Sequence, residues 1–203
     1  MIMGGMMQEE SNALDVFSRL FNGAQKECFR LQLLGTYLVD DEKEAFGKFL
    51  REGKISTVLY PDFLNMIKKK NLQGVRYATL NVVDMPLTPY MRFLIDFYKQ
   101  TQERGHEVYM LERGKAKVPL GTTDFWMFDE KTALPVRYDN DGNWLGFGAQ
   151  ITNSEKIRGF VDVKRNLLRK AAPLSEFMKD INAGSNAHAR HEKGSGKRLV
   201  KSR

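Results

Sequence analysis

Two stretches of this chain hold residue types that could do chemistry. The first is DFWMFDEKTALPVRYDNDGNWLGFGAQ, Asp124 to Gln150, which carries both tryptophans of the sequence, Trp126 and Trp144. Aromatic faces stack on bases and on ring-shaped ligands, and they also fill cores. Asp129 ends the apolar run, where a carboxylate can meet a ligand or shape a turn. Asp139 and Asp141 flank Asn140 and precede Gly142. Paired carboxylates can hold a cation, yet Asn-Asp-Gly is ordinary turn chemistry. The second stretch is PYMRFLIDF, Pro89 to Phe97, in which Arg92 sits beside Tyr90 within an apolar pattern. A guanidinium there can hold a carboxylate or phosphate through two parallel hydrogen bonds. It can equally pair with Asp96, one turn on, or with Asp84 at the end of the preceding strand. Tyr90, Arg92, Trp126, Asp129 and Trp144 are therefore the candidate ligand-binding set.

Other chemistries find less to work with. The single Cys28 can form neither an internal disulfide nor a cysteine-based metal cluster, and a lone cysteine commonly behaves as a small buried apolar residue. His106, after Gly105 at the start of a strand pattern, is the one histidine ahead of the last twenty residues. No Ser-His-Asp arrangement and no metal-ligand spacing surround it. No catalytic residue, metal or cofactor is expected, although acid-base pairs that form only in space are invisible in a sequence. The 203 residues are 42% apolar and 28% charged, a globular balance. No apolar run approaches the about 20 residues of a membrane helix. The start MIMGGMMQEE lacks the basic flank of a signal peptide, so residues 1–10 read as a disordered leader and the location as cytoplasmic.

The net charge of +7 is uneven. From Gly184 onward GSNAHARHEKGSGKRLVKSR holds six Lys or Arg against one Glu, five of those seven charges. Too few apolar residues stand there to fold, so residues 184–203 read as a disordered basic arm and residues 11–183 as one globular domain. Basic arms bind nucleic acid by neutralising phosphates. Arg190, Lys193, Lys197, Arg198, Lys201 and Arg203 are the candidate contacts, and Arg158, Arg165 and Arg169, at i, i+7 and i+11 of the last long helix, can join them. Two motifs in the arm are incomplete. His191-Glu192-Lys193 has the H-x-K core of the phospholipase D motif, but Arg198 stands where that motif needs an Asp. GSGK, Gly194 to Lys197, lacks the earlier Gly and the following Ser or Thr of a phosphate-binding loop.

The elements that must position these residues can be read from periodicity. ALDVFSRLF is a helix pattern that ends at Gly23. ECFRLQLLGTYLV alternates at Phe29, Leu31 and Leu33 as a strand. DDEKEAFGKFLREGK starts acidic and ends basic before Gly53, as a helix dipole favours. PDFLNMIKKKNLQG is a helix with Pro61 in its first turn and Gly74 past its end, its Lys68-Lys69-Lys70 run a solvated terminus. VRYATLNVVD is a β-branched strand. A helix follows over 88–104, then the strand HEVYMLER. Strand, crossover helix and strand form a βαβ unit with two parallel strands. Residues 124–129, 132–138 and 143–151 make three more strands, joined by DEKT and by the Asp-Gly hairpin signal. FWMF is apolar on both faces, so its strand should be covered on both sides. The last long helix opens at a Thr152–Glu155 capping box, with Ile157, Phe160, Val161 and Leu168 inward. The expected fold is α/β (α+β), a single mixed sheet of about five or six strands flanked by helices.

Three segments carry a resemblance: FNGAQKECFRLQLLGTYLVDDEKEAFGKFLREG, GVRYATLNVVDMPLTPYMRF and DFWMFDEKTALPVRYDNDGNWLGFGAQIT. In this order they resemble an uncharacterised, mostly actinobacterial family filed as a domain of unknown function. The likeness lies in Asp84 with Pro86-Leu87, Tyr90 and Arg92, and in Asp124-Phe125-Trp126 with Phe128-Asp129. It implies a small protein without known catalysis, whose gene stands near those of helix-turn-helix regulators. The pattern also resembles half of a phospholipase D-like fold, in the sensor version without H-x-K. Two functions follow. One is a non-catalytic accessory or regulatory module, associated with nucleic acid or with a helix-turn-helix regulator through the arm. The other is a ligand-sensing or degenerate phosphodiesterase-like domain that binds an anionic small molecule.

Overall fold

The first strand is the centre of the sheet. A computed structural model describes residues 14–115 and 117–181; the leader and the arm, with Arg190, Lys193, Lys197, Arg198, Lys201 and Arg203, lie outside the described residues. β1 (Glu27–Gln32) runs parallel to β2 (Arg76–Val83), which runs parallel to β3 (His106–Glu112). On its other side β1 is antiparallel to β4 (Phe125–Phe128), followed by β5 (Thr132–Tyr138) and β6 (Trp144–Phe147). A two-residue β7 (Ala172–Pro173) lies antiparallel on β3 and completes the order β6-β5-β4-β1-β2-β3-β7. The sheet is thus mixed, as expected, with seven strands where five or six were predicted. The seventh arises at Pro173, which the sequence marks only as the end of a helix.

Six helices flank the sheet: α1 (14–23), α2 (Lys43–Glu52), α3 (Pro61–Leu72), α4 (Pro89–Gln102), α5 (Ser154–Leu168) and α6 (174–181). α4 makes the crossover between β2 and β3 and starts as its sequence demands. Thr88 accepts a hydrogen bond from the Met91 N–H at 3.0 Å, and Pro89 takes the first helical position. α5 starts one residue later than its capping box predicts. Asn153 is the cap, accepting from Glu155 N–H at 3.1 Å and Lys156 N–H at 3.0 Å; Asn caps as well as Ser or Thr, so both residues compete for the position. The Asp-Gly hairpin forms between β5 and β6. Gly142 has φ +93°, and its carbonyl accepts the Leu38 N–H at 3.0 Å. A Cβ there would stand 2.8 Å from the Thr36 carbonyl oxygen, so side chain and backbone cannot both fit.

Each face of β1 is covered. Phe29 and Leu31 join Ala78, Leu80, Phe125 and Met127 against Ile157, Val161 and Leu167 of α5. The opposite face meets α1 to α4 and α6 through two apolar clusters, one around Phe21, Ile67 and Phe128, the other around Phe93, Leu94, Met110 and Phe177. Charge is buried where neighbours pair it. Lys164, on the inner face of α5, binds Glu27 and, at 3.0 Å, Glu130, while Arg76 reaches Glu27 and Glu107, both at 2.7 Å. Lys70, expected in solvent, is buried instead. Its Nζ donates to the Asn22 carbonyl at 2.6 Å and the Ala24 carbonyl at 2.9 Å, satisfying groups at the end of α1.

The tight turn from β4 to β5 places Asp129 at φ +56° and Glu130 at φ +53°, a left-handed pair that non-glycine residues adopt rarely. Two anchors hold it. The Asp129 carboxylate accepts the N–H groups of Gln25 at 3.0 Å, Lys26 at 2.7 Å and Glu27 at 2.9 Å. Partial burial pushes its pKa up, and these donors outweigh that and hold it below the usual carboxylate range. Glu130 pairs with Lys164 and, at 2.7 Å, with Arg165. Asp129→Ala is expected to lose about 2 kcal/mol in chemical denaturation, the scale of hydrogen bonds to a charged group. Asp129→Asn, which tolerates positive φ, should lose less. Equal losses would show that a neutral carbonyl oxygen cannot stand in for the carboxylate, and no loss in Asp129→Asn would show that charge has no part in the anchor.

Candidate functional site

The face of the sheet under α1 to α4 should be apolar, and across its middle it is not. Alternate residues of β1 project there as Cys28, Arg30 and Gln32. In register beside them stand Tyr77, Thr79 and Asn81 of β2, His106 of β3 and Trp126 of β4. Arg30, Thr79, Asn81 and His106 are all buried. They form a polar seam between the two apolar clusters. Over it lies a cavity of about 180 Å³, and five of the seven tyrosines, Tyr37, Tyr77, Tyr90, Tyr98 and Tyr138, line it.

Arg30 is the centre of the seam. Its Nη2 donates to Asp124 Oδ2 at 3.2 Å and to the Tyr138 hydroxyl at 3.0 Å, and its guanidinium lies 5.4 Å from the centre of the Trp126 ring. Asp124 gathers the site from the end of β4. Oδ2 also accepts the Tyr37 hydroxyl at 2.7 Å, and Oδ1 accepts the Leu33 N–H at 2.9 Å. Burial opposes the Arg30 charge, and the Tyr138 and Asp124 oxygens more than offset it, so the guanidinium stays protonated. A second pair stands in the wall, where the Tyr90 hydroxyl donates to buried Glu42 at 2.5 Å.

His106 is a satisfied core histidine. Nδ1 lies 2.8 Å from Thr101 Oγ1, and Nε2 lies 2.8 Å from Thr79 Oγ1. Thr101 spends its own proton on the Tyr98 carbonyl at 3.0 Å. Thr101 must therefore accept from Nδ1–H, and Thr79 must donate to Nε2, which assigns the tautomer. Burial lowers the imidazole pKa to about 3, so the ring is neutral. Cys28 is buried too, and burial pushes its thiol up to about 12, far from the thiolate form that nucleophilic attack requires. Neither His106 nor Cys28 can therefore exchange a proton at neutral pH, while burial pushes the carboxyls of Asp124 and Glu42 up from the usual range.

Of the five candidate ligand-binding residues, the structure brings Tyr90 and Trp126 together at this cavity. Arg92 is exposed on α4 and has only a long contact, Nε to the Leu87 carbonyl at 3.4 Å. Neither expected pairing forms. Asp96 accepts the Ile55 N–H at 2.6 Å and pairs with Lys99, and Asp84 pairs with Arg113 at 3.0 Å. The helix turns Tyr90, Met91, Phe93, Leu94 and Phe97 inward, which leaves position 92 outside. Trp144 packs on Phe147, ring centres 5.5 Å apart, and β5 separates its strand from that of Trp126, so the two tryptophans do not share a site. Asp129 shapes its turn as described above. Asp139 does likewise, accepting from Asp141 N–H at 3.0 Å and Asn143 N–H at 2.8 Å. Arg158, Arg165 and Arg169 are exposed along α5, beyond the other face of the sheet. No group of residues spaced to hold a metal and no helix long and apolar enough to cross a membrane occurs among the described residues.

An open mixed sheet with helices on both faces and a buried polar seam defines the class. The chain belongs to the family described as "Domain of unknown function (DUF6879)", which matches residues 15–179. No curated protein matches it. Among solved structures it is similar to NucT from Helicobacter pylori, with a TM-score of 0.50 at 12% identity over 82% of this chain and 93% of that one. Nuc from Salmonella typhimurium, a phospholipase D family member, gives 0.43 at 7% identity over 76% and 85%. TrmBL2, an archaeal chromatin protein with a novel mode of DNA binding, gives 0.44 at 17% identity over 80% of this chain. This chain spans half the length of TrmBL2. At such identities the likeness is one of fold alone.

Proposed function

We propose that the protein is a non-catalytic regulatory module that associates with nucleic acid through the outer face of α5 and the basic arm. The observation that carries this reading is the row of exposed guanidiniums, Arg158, Arg165 and Arg169, on one side of one helix. At the helical rise they stand about 10 Å and about 6 Å apart along the axis. Arg165 shares its charge with Glu130, whereas Arg158 and Arg169 make no ion pair among the described residues. Five of the seven net charges in the arm extend the same sign along the chain. The non-catalytic half of the reading rests on the neutral, fully paired His106 and the buried Cys28 thiol. A partner regulator of the helix-turn-helix kind is compatible with the same surface.

The test is a salt titration of the full chain on duplex and single-stranded DNA. Log affinity should fall linearly with log salt, by about 0.9 per phosphate contact on duplex and about 0.7 on single strands. Replacing Arg158, Arg165 and Arg169 together by Gln should weaken binding and flatten the duplex slope by about 2 to 3. Binding should be nearly indifferent to base sequence, since phosphate contacts carry none. An unchanged slope would move the contact off α5. No binding by the full chain at about 50 mM salt, where such contacts are strong, would retire the proposal.

A further inference from the structure

We propose that the cavity beside Arg30 binds a neutral planar ring carrying a carbonyl acceptor and an N–H donor, the hydrogen-bond pattern of a lactam or a free pyrimidine base. The first observation is a buried donor with nothing to hold. Arg30 is 5% exposed and lines the cavity, and its Nη1 has no hydrogen-bond partner among the described residues. An unpaired buried donor costs about 1–3 kcal/mol, and folded proteins keep few of them. The other terminal nitrogen of Arg30 is already committed to Asp124 and Tyr138. The nearby Asn81 amide nitrogen is a different case. The Tyr98 hydroxyl lies 2.8 Å from Gln32 Oε1 and 3.0 Å from Asn81 Oδ1. It has one proton, so turning the Asn81 amide about its plane lets Asn81 donate to Tyr98 and Tyr98 to Gln32. No such exchange satisfies Arg30, whose groups are all donors.

Size, shape and charge narrow the occupant. A cavity of about 180 Å³ is near the scale of the about 150 Å³ that takes one benzene ring. Trp126, Phe63, Tyr77 and Tyr98 give flat faces for a ring to lie against. The charge of Arg30 is matched by Asp124, and the wall adds the acidic Glu42. A ligand that brought a further negative charge would meet two carboxyl groups, so a neutral carbonyl suits Nη1 better than a carboxylate does. Glu42 receives the Tyr90 hydroxyl and faces that of Tyr60, and a carboxylate can accept several donors, so it can also take an N–H from the same ring. The site lies on the opposite side of the sheet from α5. Its occupancy and the nucleic-acid proposal can therefore fail separately.

The test uses the full chain with 2-pyridone and uracil as probes, and with toluene and benzoate as controls. The readout is the pair of indole N–H resonances in a nitrogen–proton correlation spectrum. Trp126 lines the cavity and Trp144 does not. The Trp126 signal should move saturably with 2-pyridone or uracil while that of Trp144 stays, at an affinity at least about tenfold above either control. Leu94→Phe, which fills the cavity and leaves every charge in place, should abolish the shift without loss of the melting transition. Arg30→Lys keeps a cation for Asp124 and removes the guanidinium fork, and should weaken binding at least about tenfold. If Arg30→Lys does not fold, Leu94→Phe decides alone. Toluene or benzoate binding as well as 2-pyridone, full binding by Leu94→Phe, or no saturable movement of Trp126 with either probe would each overturn the proposal.

Discussion

Asp124→Ala is expected to destabilise the fold by about 3–5 kcal/mol, the cost of breaking a buried ion pair from one side. Asp124 is 4% exposed and receives three donors from separate parts of the chain. These are Arg30 at 3.2 Å, the Tyr37 hydroxyl at 2.7 Å and the Leu33 N–H at 2.9 Å. Truncation leaves a guanidinium under the helices with Tyr138 as its one remaining partner, and it strands a hydroxyl and a backbone amide. Asp124→Asn keeps the shape and gives up the charge, so its loss should fall between wild type and alanine. The double variant Arg30→Met/Asp124→Leu should lose much less than the sum of the single changes, because neither charge is then left unpaired. Urea titration measures wild type, the two Asp124 variants, the single changes Arg30→Met and Asp124→Leu, and the double variant, with the slope watched for a change in the exposed area. A loss under about 1 kcal/mol for Asp124→Ala would mean that water replaces the carboxylate, and that the seam is wetter than its burial implies.

Acid should destabilise the protein before its carboxylates titrate. His106 has a folded pKa of about 3, lowered by burial, against an unfolded value near 6.5. The unfolded chain therefore takes up a proton that the folded chain refuses. The contribution is fully present above pH about 6.5 and is lost as pH falls toward about 3, at roughly 1.4 kcal/mol per unit. Between pH about 6.5 and about 5 ordinary carboxyl groups stay ionised, and Glu42 and Asp124, whose carboxyls burial pushes up, act in the opposite sense, so the difference from a variant without the imidazole isolates the histidine. His106→Gln, with amide groups for Thr79 and Thr101, should be less stable at pH 7 and should not share the loss across that interval. The check is urea unfolding at half-unit steps of pH. A wild-type slope no steeper than that of His106→Gln would place a charged, solvated imidazole where the structure has a neutral one.

The order of elements is legible in the sequence because each boundary has a local cause. Pro89 after Thr88, Gly53 after a basic turn and Asp141-Gly142 between alternating runs work over a few residues. The site is not legible in that way, because it depends on which strand is central. ECFRLQLL alternates apolar and polar, the signature of a half-exposed strand. Arg30 accordingly reads as solvated until β1 is known to pair with β2 on one side and β4 on the other. The signal that existed was indirect. FWMF is apolar on both faces and ATLNVV carries no charge on either, so a strand between them is covered on both faces too. Lys164 left a comparable trace, standing in step with Ile157 and Val161 on the inner face of α5. Arg92 misled for the opposite reason. Apolar neighbours along the chain do not bury a helical residue when their own side chains turn the other way.

β1 is the first strand to be made and one of the last to be completed. Its antiparallel partner arrives much later, as Glu27 and Asp129, joined across the turn, are 102 residues apart. Contacts of such long separation close slowly, since the intervening loop must be ordered first. While the ribosome is still adding residues 84 to 124, β1 can pair with β2, and its other edge stays open. An open edge invites strands from other chains. Charged residues pointing into the future core are among the devices by which natural sheets discourage that pairing. Arg30 and Glu27 stand on opposite faces of this one strand. The charges that the finished protein must neutralise with Asp124 and Lys164 are therefore the ones that guard the nascent sheet until those partners are synthesised.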